Sequence, residues 1–141
     1  MKYIFKGDDD ILLVPENFYA HIQQLATSND PLASIGCLKS SGEKVVRQLT
    51  SKYFMPESLV PYETYQPYYS GAGYIVTQEV AQKMYQHYNR VPLVPLDDTY
   101  IGMLLHFANL SRIFRNTYCR KRSSHHSCHA LSFFKLRLAL L

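Results

Sequence analysis

Three consecutive aspartates, Asp8, Asp9 and Asp10, directly follow a short run of strand-forming residues near the start of the chain. Adjacent carboxylates repel one another, so the cluster is either an exposed, solvated acidic turn or a cation site. Alternate side chains of an extended segment point to the same side, which predicts that Asp8 and Asp10 face one cleft while Asp9 points elsewhere. Their hard oxygen ligands favour Mn²⁺ or Mg²⁺.

A second acidic pair, Asp97 and Asp98, lies after a proline-bounded connection and before a predicted helix. Carboxylates at this place complement the positive N-terminal end of a helix dipole, which is the simpler interpretation. The functional interpretation is a general base, in which one carboxylate removes a proton from an attacking hydroxyl group.

Small residues form a third pattern, in which Gly71, Ala72 and Gly73 follow Ser70. Small residues let the backbone approach a ligand closely, although a plain turn at the entry to a strand has the same composition. The segment does not match a phosphate-binding loop, which requires Gly-Lys followed by Ser or Thr.

Cysteine and histidine residues gather late in the chain, and their side chains are typical zinc ligands. Their spacing is not that of a zinc finger, because Cys128 and His129 are adjacent and the paired Cys-x-x-Cys spacing is missing. One of the histidines as an extra ligand to the aspartate-bound metal is a second interpretation, and an exposed tail is the plainest one. The cluster consists of Cys119, His125, His126, Cys128 and His129.

The elements that would position these residues alternate between strands and helices, which predicts the α/β class. Apolar runs indicate strands at 2–6, 11–14, 32–38 and 74–76, and helical spacing indicates helices at 16–26, 78–88 and 97–107. Prolines among aromatic residues predict an ordered loop at 53–69, and the small residues at 70–73 predict a turn. Thr77 is the predicted N-cap of the second helix. The acidic groups thus fall where strands end or helices begin, which is where open α/β sheets bind ligands.

Composition restricts the class of protein. The chain has 141 residues, of which 47% are hydrophobic and 18% are charged, as in a globular domain with its own core. The net charge of +4 is mild. Basic and aromatic residues do not form a repeated pattern along the chain, so a nucleic-acid partner is not predicted. Three cysteines allow either one disulfide with a free thiol or three reduced thiols. No stretch reaches the roughly 18 apolar residues of a membrane span.

In their order and spacing, these motifs resemble the β-1,3-galactosyltransferases and β-1,3-N-acetylglucosaminyltransferases, which are related to the Fringe enzymes. The family pattern is a lysine with three aspartates, a Tyr-Pro-Pro-Tyr-like loop that leads to Ser-Gly-Gly-Gly-Tyr, and Glu/Asp-Asp-Val-Tyr-Val-Gly. The matching segments are residues 3–11, 52–56, 62–73 and 92–102.

The resemblance implies a partial GT-A glycosyltransferase fold, a mixed sheet flanked by helices, in residues 1–110, followed by a basic tail in 111–141. It implies an inverting hexosyltransferase that moves galactose or N-acetylglucosamine from a UDP-sugar to a glycan hydroxyl group in β-1,3 linkage. Manganese or magnesium would be held by Asp8, Asp10 and His129, and Asp98 would be the catalytic base. The residues implied to contact the donor are Asp8, Asp9, Gly71, Ala72 and Gly73.

The family's usual chain begins with a membrane anchor, a stem and a nucleotide-binding half, whereas the acidic motif here starts at residue 8. We therefore expect that the nucleotide-binding half is missing and that this polypeptide alone binds a UDP-sugar poorly and is inactive. By the same resemblance, the enzyme would act on the lumenal side of the Golgi membrane, attached only through the missing anchor. The alternative is a non-catalytic remnant that binds cations or carbohydrate, in which Asp8, Asp10 and Asp98 do not share one cleft.

Overall fold

The computed structural model describes residues 2–39 and 43–110, together with the backbone of four short strands between residues 114 and 135. The three predicted helices are confirmed to within a few residues. In chain order the elements are β1 Tyr3–Lys6, β2 Ile11–Leu12, α1 Pro15–Thr27, β3 Ser34–Lys39, β4 Tyr68–Thr77, α2 Gln78–His87, a 3₁₀ turn Tyr88–Arg90, α3 Asp97–Phe107, β5 Phe114–Asn116, β6 Lys121–Arg122, β7 His125–His126 and β8 Phe134–Lys135.

The central sheet has the strand order β1-β4-β3-β5. β4 pairs antiparallel with both β1 and β3, and β5 pairs parallel with β3. In this register Ile75 of β4 lies opposite Phe5 of β1 and Ile35 of β3. The sheet is therefore mixed and is accompanied by helices, so the predicted α/β class is confirmed.

The predicted turn at 70–73 is wrong, because β4 runs without a break through this segment. Its pairing with β3 instead shifts in register between Gly36 and Leu38, opposite the small residues. Gly73 has a φ of 139°, a backbone conformation that glycine adopts and other residues rarely do. The small residues thus lie at an irregularity in strand pairing, and the chain does not reverse its direction there.

Different helices cover the two faces of the sheet. Because side chains alternate along a strand, Ile75 and Val76 of β4 point to opposite faces. Ile75 packs in a cluster with Leu25 of α1. Val76 packs in another with Val80 of α2 and Leu105 of α3. β4 is therefore buried on both faces. Its packing against α3 brings the first residues of β4 close to the start of that helix.

From residue 43 to residue 67, the segment between β3 and β4 is an ordered loop. The predicted loop at 53–69 is confirmed except for its last two residues, which belong to β4. The guanidinium of Arg47 donates hydrogen bonds to the carbonyl oxygens of Met55 at 2.7 Å, Val60 at 2.5 Å and Tyr62 at 2.9 Å. A separate apolar cluster includes Met55, Val60 and Tyr65 and packs against residues of α3. The loop is held by one arginine and a small core of its own.

Local signals at the helix ends are also confirmed. The Thr77 hydroxyl accepts a hydrogen bond from the Val80 N–H at 3.3 Å, as an N-cap residue does. α3 begins at Asp97 with both aspartates in its first turn. Cys37 of β3 is buried and takes part in a disulfide. Within the part of the chain that the structure describes, no helix has the length and apolar character needed to cross a membrane.

Candidate active site

Three carboxylates surround one ammonium group at the end of β1. The Nζ atom of Lys6 lies 2.7 Å from Asp97 Oδ2, 3.0 Å from Asp98 Oδ1 and 3.6 Å from Asp8 Oδ1. We call these four residues the Lys6 cluster. It joins Lys6, the last residue of β1, to Asp98 in the first turn of α3, 92 residues away in sequence.

Gly71 of β4 connects the two acidic groups of the Lys6 cluster through its backbone. Its carbonyl oxygen accepts a hydrogen bond from the Asp8 N–H at 2.9 Å, and its N–H donates to Asp98 Oδ2 at 2.6 Å. A Cβ atom at this position would lie 2.6 Å from Asp8 Oδ1. Only glycine therefore allows the Asp8 carboxylate to lie this close to the β4 backbone.

A second glycine brings α3 close to the start of β4. A Cβ atom on Gly102 would lie 2.5 Å from the Cβ atom of Tyr68 and 2.8 Å from the carbonyl oxygen of Pro67. This contact, one helical turn after Asp98, presses the first turn of α3 against β4. The position of Asp98 therefore depends on packing as well as on its hydrogen bonds.

The Lys6 cluster shifts the pKa values of its members in different directions. Burial lowers the pKa of Lys6, but hydrogen bonds and charges from the two aspartates of α3 more than offset this and raise it overall. The hydrogen bond from Lys6 lowers the pKa of Asp97. Burial raises the pKa of Asp98 although Lys6 opposes the shift. Asp98 therefore holds a proton more strongly than Asp97, as a general base should.

Asp98 also lines a cavity of about 310 Å³ between the loop, β4 and α3. On the loop side of this cavity, the Tyr68 hydroxyl donates a hydrogen bond to Glu43 Oε2. Lys39 Nζ lies 3.6 Å from the other oxygen of Glu43. Burial, followed by the hydrogen bond to Glu43, raises the pKa of Tyr68 far above its usual value. Tyr68 is therefore a protonated donor at neutral pH.

Two of the predicted acidic residues, Asp8 and Asp98, are brought together by their shared contact with Lys6. The alternation argument for Asp8 and Asp10 does not apply, because residues 9 and 10 form a turn rather than an extended segment. Asp9 and Asp10 are not among the side chains that contact the Lys6 ammonium. Their proposed roles stay predictions.

The small residues and the late histidine have different outcomes. Gly71 lies at the centre of the acidic site, while Ala72 and Gly73 continue β4 beyond it. Their predicted contacts with a donor stay predictions. His129, the predicted further metal ligand, lies outside the described residues, as do the other members of the Cys and His cluster apart from the backbone of two histidines.

The carboxylate oxygens of the site are hard ligands, the type that Mg²⁺ and Mn²⁺ prefer. Among the described residues, no group of three or more His, Cys, Asp and Glu side chains is arranged to hold a metal ion. Mg²⁺-type sites that bind together with substrate phosphates commonly use only one or two carboxylates. The Asp8 carboxylate, 37% exposed and adjacent to the acidic turn, meets that requirement.

Sequence reasoning did not assign a role to Lys6, although a signal was present. Lys6 and Asp8 are two residues apart, and such residues lie on the same side of an extended chain. A lysine facing the carboxylates could therefore have been predicted. The roles of Arg47, Glu43 and Tyr68 had no comparable signal, because their contacts depend on the path of the loop.

A mixed α/β domain with acidic groups at the end of a strand and the start of a helix is consistent with a glycosyltransferase domain. The chain matches the galactosyltransferase family over residues 1–116, and it belongs to that family. The family resemblance inferred from the motifs is confirmed.

Known relatives support this membership. The chain is 32% identical over 104 residues to β-1,3-galactosyltransferase 1 of Homo sapiens and of Mus musculus, across 74% of this chain and 31% of each relative. It is 28% identical over 105 residues to UDP-GlcNAc:betaGal β-1,3-N-acetylglucosaminyltransferase 7 of Rattus norvegicus, across 74% of this chain and 26% of that protein. The match thus spans about a third of these relatives or less.

Proposed function

We propose that this chain is part of an inverting hexosyltransferase with a GT-A fold, which transfers a sugar from a UDP-sugar to a glycan hydroxyl group. The observation that carries the proposal is the contact of Asp8 and Asp98 with the same Lys6 nitrogen, at 3.6 and 3.0 Å, in a chain of the galactosyltransferase family. Groups that act on the leaving group and on the attacking hydroxyl must lie close together, because they share one substrate.

The names of the relatives support a narrower proposal about donor and linkage. They describe β-1,3 transfer of galactose in one case and of N-acetylglucosamine from its UDP derivative in the other. We infer a UDP-activated donor of one of these two sugars, a β-1,3 linkage and a glycan acceptor. We also propose action on the lumenal side of the Golgi membrane, as the sequence resemblance implies.

In the proposed reaction, the oxygen of the acceptor hydroxyl group forms a bond to the anomeric carbon of the donor sugar. Asp98 accepts the proton that this hydroxyl group loses. The bond from that carbon to the UDP oxygen breaks on the opposite face, which inverts the anomeric configuration. Lys6 and the Gly71 N–H each hold one oxygen of Asp98. A carboxylate has about four lone-pair sites, so it can still accept a bond from the acceptor.

Manganese or magnesium would be held by Asp8 and Asp10, with His129 as the further ligand implied by the resemblance. When bound, such an ion neutralises negative charge on the departing diphosphate. Asp9, Gly71, Ala72 and Gly73 would contact the donor. The role of Gly71 is supported by its place between Asp8 and Asp98.

The proposed role of Asp8 in binding the donor with a metal ion is tested by titrating the chain with UDP in the presence of Mn²⁺. The readout is the relaxation rate of water protons. We expect a weak enhancement that requires both UDP and Mn²⁺, is lost in Asp8→Asn and remains in Asp98→Asn. Glu16→Gln, at an exposed carboxylate of α1 that does not pair with Lys6, is a charge-matched control. If Asp8→Asn left the enhancement of the relaxation rate unchanged, Asp8 would not hold the metal ion or the donor.

Sugar transfer from UDP-galactose and UDP-N-acetylglucosamine to a β-galactoside is measured on the same samples. Any transfer by the wild-type chain should disappear in Asp98→Asn. The expectation that this polypeptide alone binds a UDP-sugar poorly and is inactive stays a prediction, which the same measurements test. Cation binding that UDP does not strengthen and that Asp8→Asn does not weaken, without transfer, would favour the non-catalytic remnant.

A further inference from the structure

Asn109, just after α3, has the sequence context of an attachment site for an N-linked glycan. It is followed by Leu110 and then by Ser111. Asparagine with Ser or Thr two positions later, and any residue except proline between them, is the acceptor sequence for such glycans. The other asparagines of the chain are not followed by Ser or Thr at that spacing. The sequence therefore offers a single candidate, which the transferase chemistry does not use.

The backbone at Asn109 forms the tight turn that ends α3. The Asn109 N–H donates a hydrogen bond to the carbonyl oxygen of His106 at 3.0 Å, and the Leu110 N–H donates one to that of Leu105 at 2.7 Å. This pair of bonds defines a Schellman motif, in which the residue after the helix takes a left-handed conformation. Asn109 has that conformation, with a φ of 58°. The candidate site thus lies on an ordered turn.

The turn separates a buried residue from an exposed one. Leu110 is 2% exposed and packs in the same cluster as Leu105, which fixes the turn from the inside. Asn109 itself is exposed. A glycan is large and strongly hydrated, so the residue that carries it must remain at the surface after folding. Asn109 meets this requirement, although both of its neighbours in the turn are anchored.

The residue type at this position is not the one that the turn alone favours. Glycine is the usual residue at a left-handed helix end, because it has no Cβ atom, and asparagine is a less frequent choice. Asn109 therefore keeps a side-chain amide at some conformational cost. Such a cost is typical of positions where a side chain has a role beyond the fold.

An apolar surface next to Asn109 favours a covering group. Phe107, two residues earlier, is 49% exposed. One side of its ring packs on His87, with the ring centroids 5.5 Å apart. The C–H faces of sugar rings pack on aromatic rings in the way that other apolar groups do. A glycan on Asn109 would therefore shield Phe107 from water.

The position of Asn109 is compatible with the proposed active site. Asp97 and Asp98 lie in the first turn of α3, whereas Asn109 follows its last turn. A helix of this length spans about 15 Å, because each residue adds about 1.5 Å. The glycan would thus extend from the end of α3 that is remote from the acidic groups, and it would leave them open to substrates.

We propose that Asn109 carries an N-linked glycan. In the modification, Asn109 Nδ2 forms a bond to the anomeric carbon of an oligosaccharide that is carried on a lipid diphosphate. The bond from this carbon to the diphosphate oxygen breaks, the lipid diphosphate leaves, and Nδ2 loses one proton to the enzyme that catalyses the transfer. The proposal rests on the lumenal location proposed above, since this reaction takes place in the lumen of the secretory pathway.

Cell-free translation of the full chain with mammalian microsomes tests the site. A cleavable signal sequence precedes the chain, and an appended acceptor sequence at its C-terminus reports entry into the lumen. We expect wild type to receive two glycans, seen as a shift in gel mobility that an amidase for N-linked glycans removes. Asn109→Gly and Ser111→Ala should receive only the glycan of the appended sequence. A single glycan on the wild-type chain overturns the proposal.

Two controls separate the modification from the structural role of the turn. Asn109→Gly retains the left-handed turn, so the unmodified variant made in bacteria should unfold at the same temperature as unmodified wild type or higher. Asn29 is also exposed, with a φ of 51°, but Asp30 and Pro31 follow it. Mass spectrometry should find Asn29 unmodified. Modification of Asn29, or a second glycan that persists in Asn109→Gly, would contradict the assignment.

The effect of the glycan on Phe107 is measured by thermal unfolding. The comparison is between glycosylated wild type and Ser111→Ala, which keeps the amide but lacks the glycan. We expect the glycan to raise the unfolding midpoint by about 3 °C. In a Phe107→Ala background the glycan should give no such increase. An equal increase in both backgrounds would show that the glycan does not shield Phe107.

The same samples distinguish this proposal from the transferase function. Titration with UDP in the presence of Mn²⁺ should give the same binding with and without the glycan, because the acidic groups lie at the other end of α3. A glycan on Asn109 without UDP-dependent Mn²⁺ binding would refute the transferase function and leave the attachment site. An unmodified Asn109 in a lumenal chain that binds UDP with Mn²⁺ would overturn the site alone.

Discussion

Two cations organise this molecule in similar geometry but with different partners. Lys6 gathers three carboxylates around its ammonium group. Arg47 gathers three backbone carbonyl oxygens around its guanidinium. The partners of Lys6 carry charge and titrate, whereas those of Arg47 are neutral at every pH.

The difference separates a site that can do chemistry from one that only holds a shape. A carboxylate beside a cation can gain or lose a proton, and its neighbours decide how readily it does so. Backbone carbonyl groups do not take up or release protons in this way. The Arg47 contacts therefore fix the path of the loop but provide no titratable group. Both regions meet at the cavity, where the loop carries Glu43 and α3 carries Asp98.

Gly102→Ala should disturb both regions at once and have the largest effect. The added Cβ atom would lie 2.5 Å from the Cβ atom of Tyr68 and 2.8 Å from a backbone oxygen, so backbone must move. We expect the free energy of unfolding to fall by about 3 kcal/mol, measured by urea denaturation. Ala108→Gly, just after α3, is a control for the helix end. A stable Gly102→Ala variant would show that α3 does not depend on this contact.

Arg47→Met should affect only the loop. It leaves three carbonyl oxygens without their charged donor, and we expect a loss of about 2 kcal/mol in the free energy of unfolding. Because the partners do not titrate, the loss should be the same at pH 5 and pH 8. Arg90→Met, at an exposed arginine, is the control. A loss that changed with pH would mean that a titrating group has been overlooked.

Lys6→Met should have a smaller effect on stability and a clear dependence on pH. Solvent screens the partly exposed ammonium group, so we expect a loss of about 1 kcal/mol near neutral pH. The raised pKa of Lys6 means that its stabilisation is present below its ordinary value of 10.5 and is lost as pH rises through the folded value. In acid the loss should also shrink, because the carboxylates become protonated. A loss that is constant from pH 3 to 8 contradicts the comparison with Arg47.

Asp97→Asn should have the smallest effect. The Asp97 carboxylate is 72% exposed, so its pair with Lys6 contributes about 0.3 kcal/mol. Its pKa is lowered from 3.8, so this stabilisation is present above that value and disappears as pH falls through the lower folded value. The difference from wild type in the urea unfolding midpoint should therefore be larger at pH 7 than at pH 2.5. A difference as large at pH 2.5 as at pH 7 would be inconsistent with an ion pair.

Local patterns in the sequence were sufficient for the helices, the acidic groups and the family. The Thr77 cap and the aspartates that open α3 act within one helical turn, so their effect is visible in neighbouring residues. The motifs that identify the galactosyltransferase family are also short and ordered along the chain. Such features need no knowledge of the fold.

Contacts between distant segments were decided by the tertiary structure alone. The segment at 70–73 has the composition of a turn, but pairing on both sides makes it part of β4. Gly71 thereby lies between Asp8 and Asp98, and Glu43 meets Tyr68 across the loop. Strand pairing and helix packing set these distances, and no local sequence pattern specifies which distant residues become neighbours.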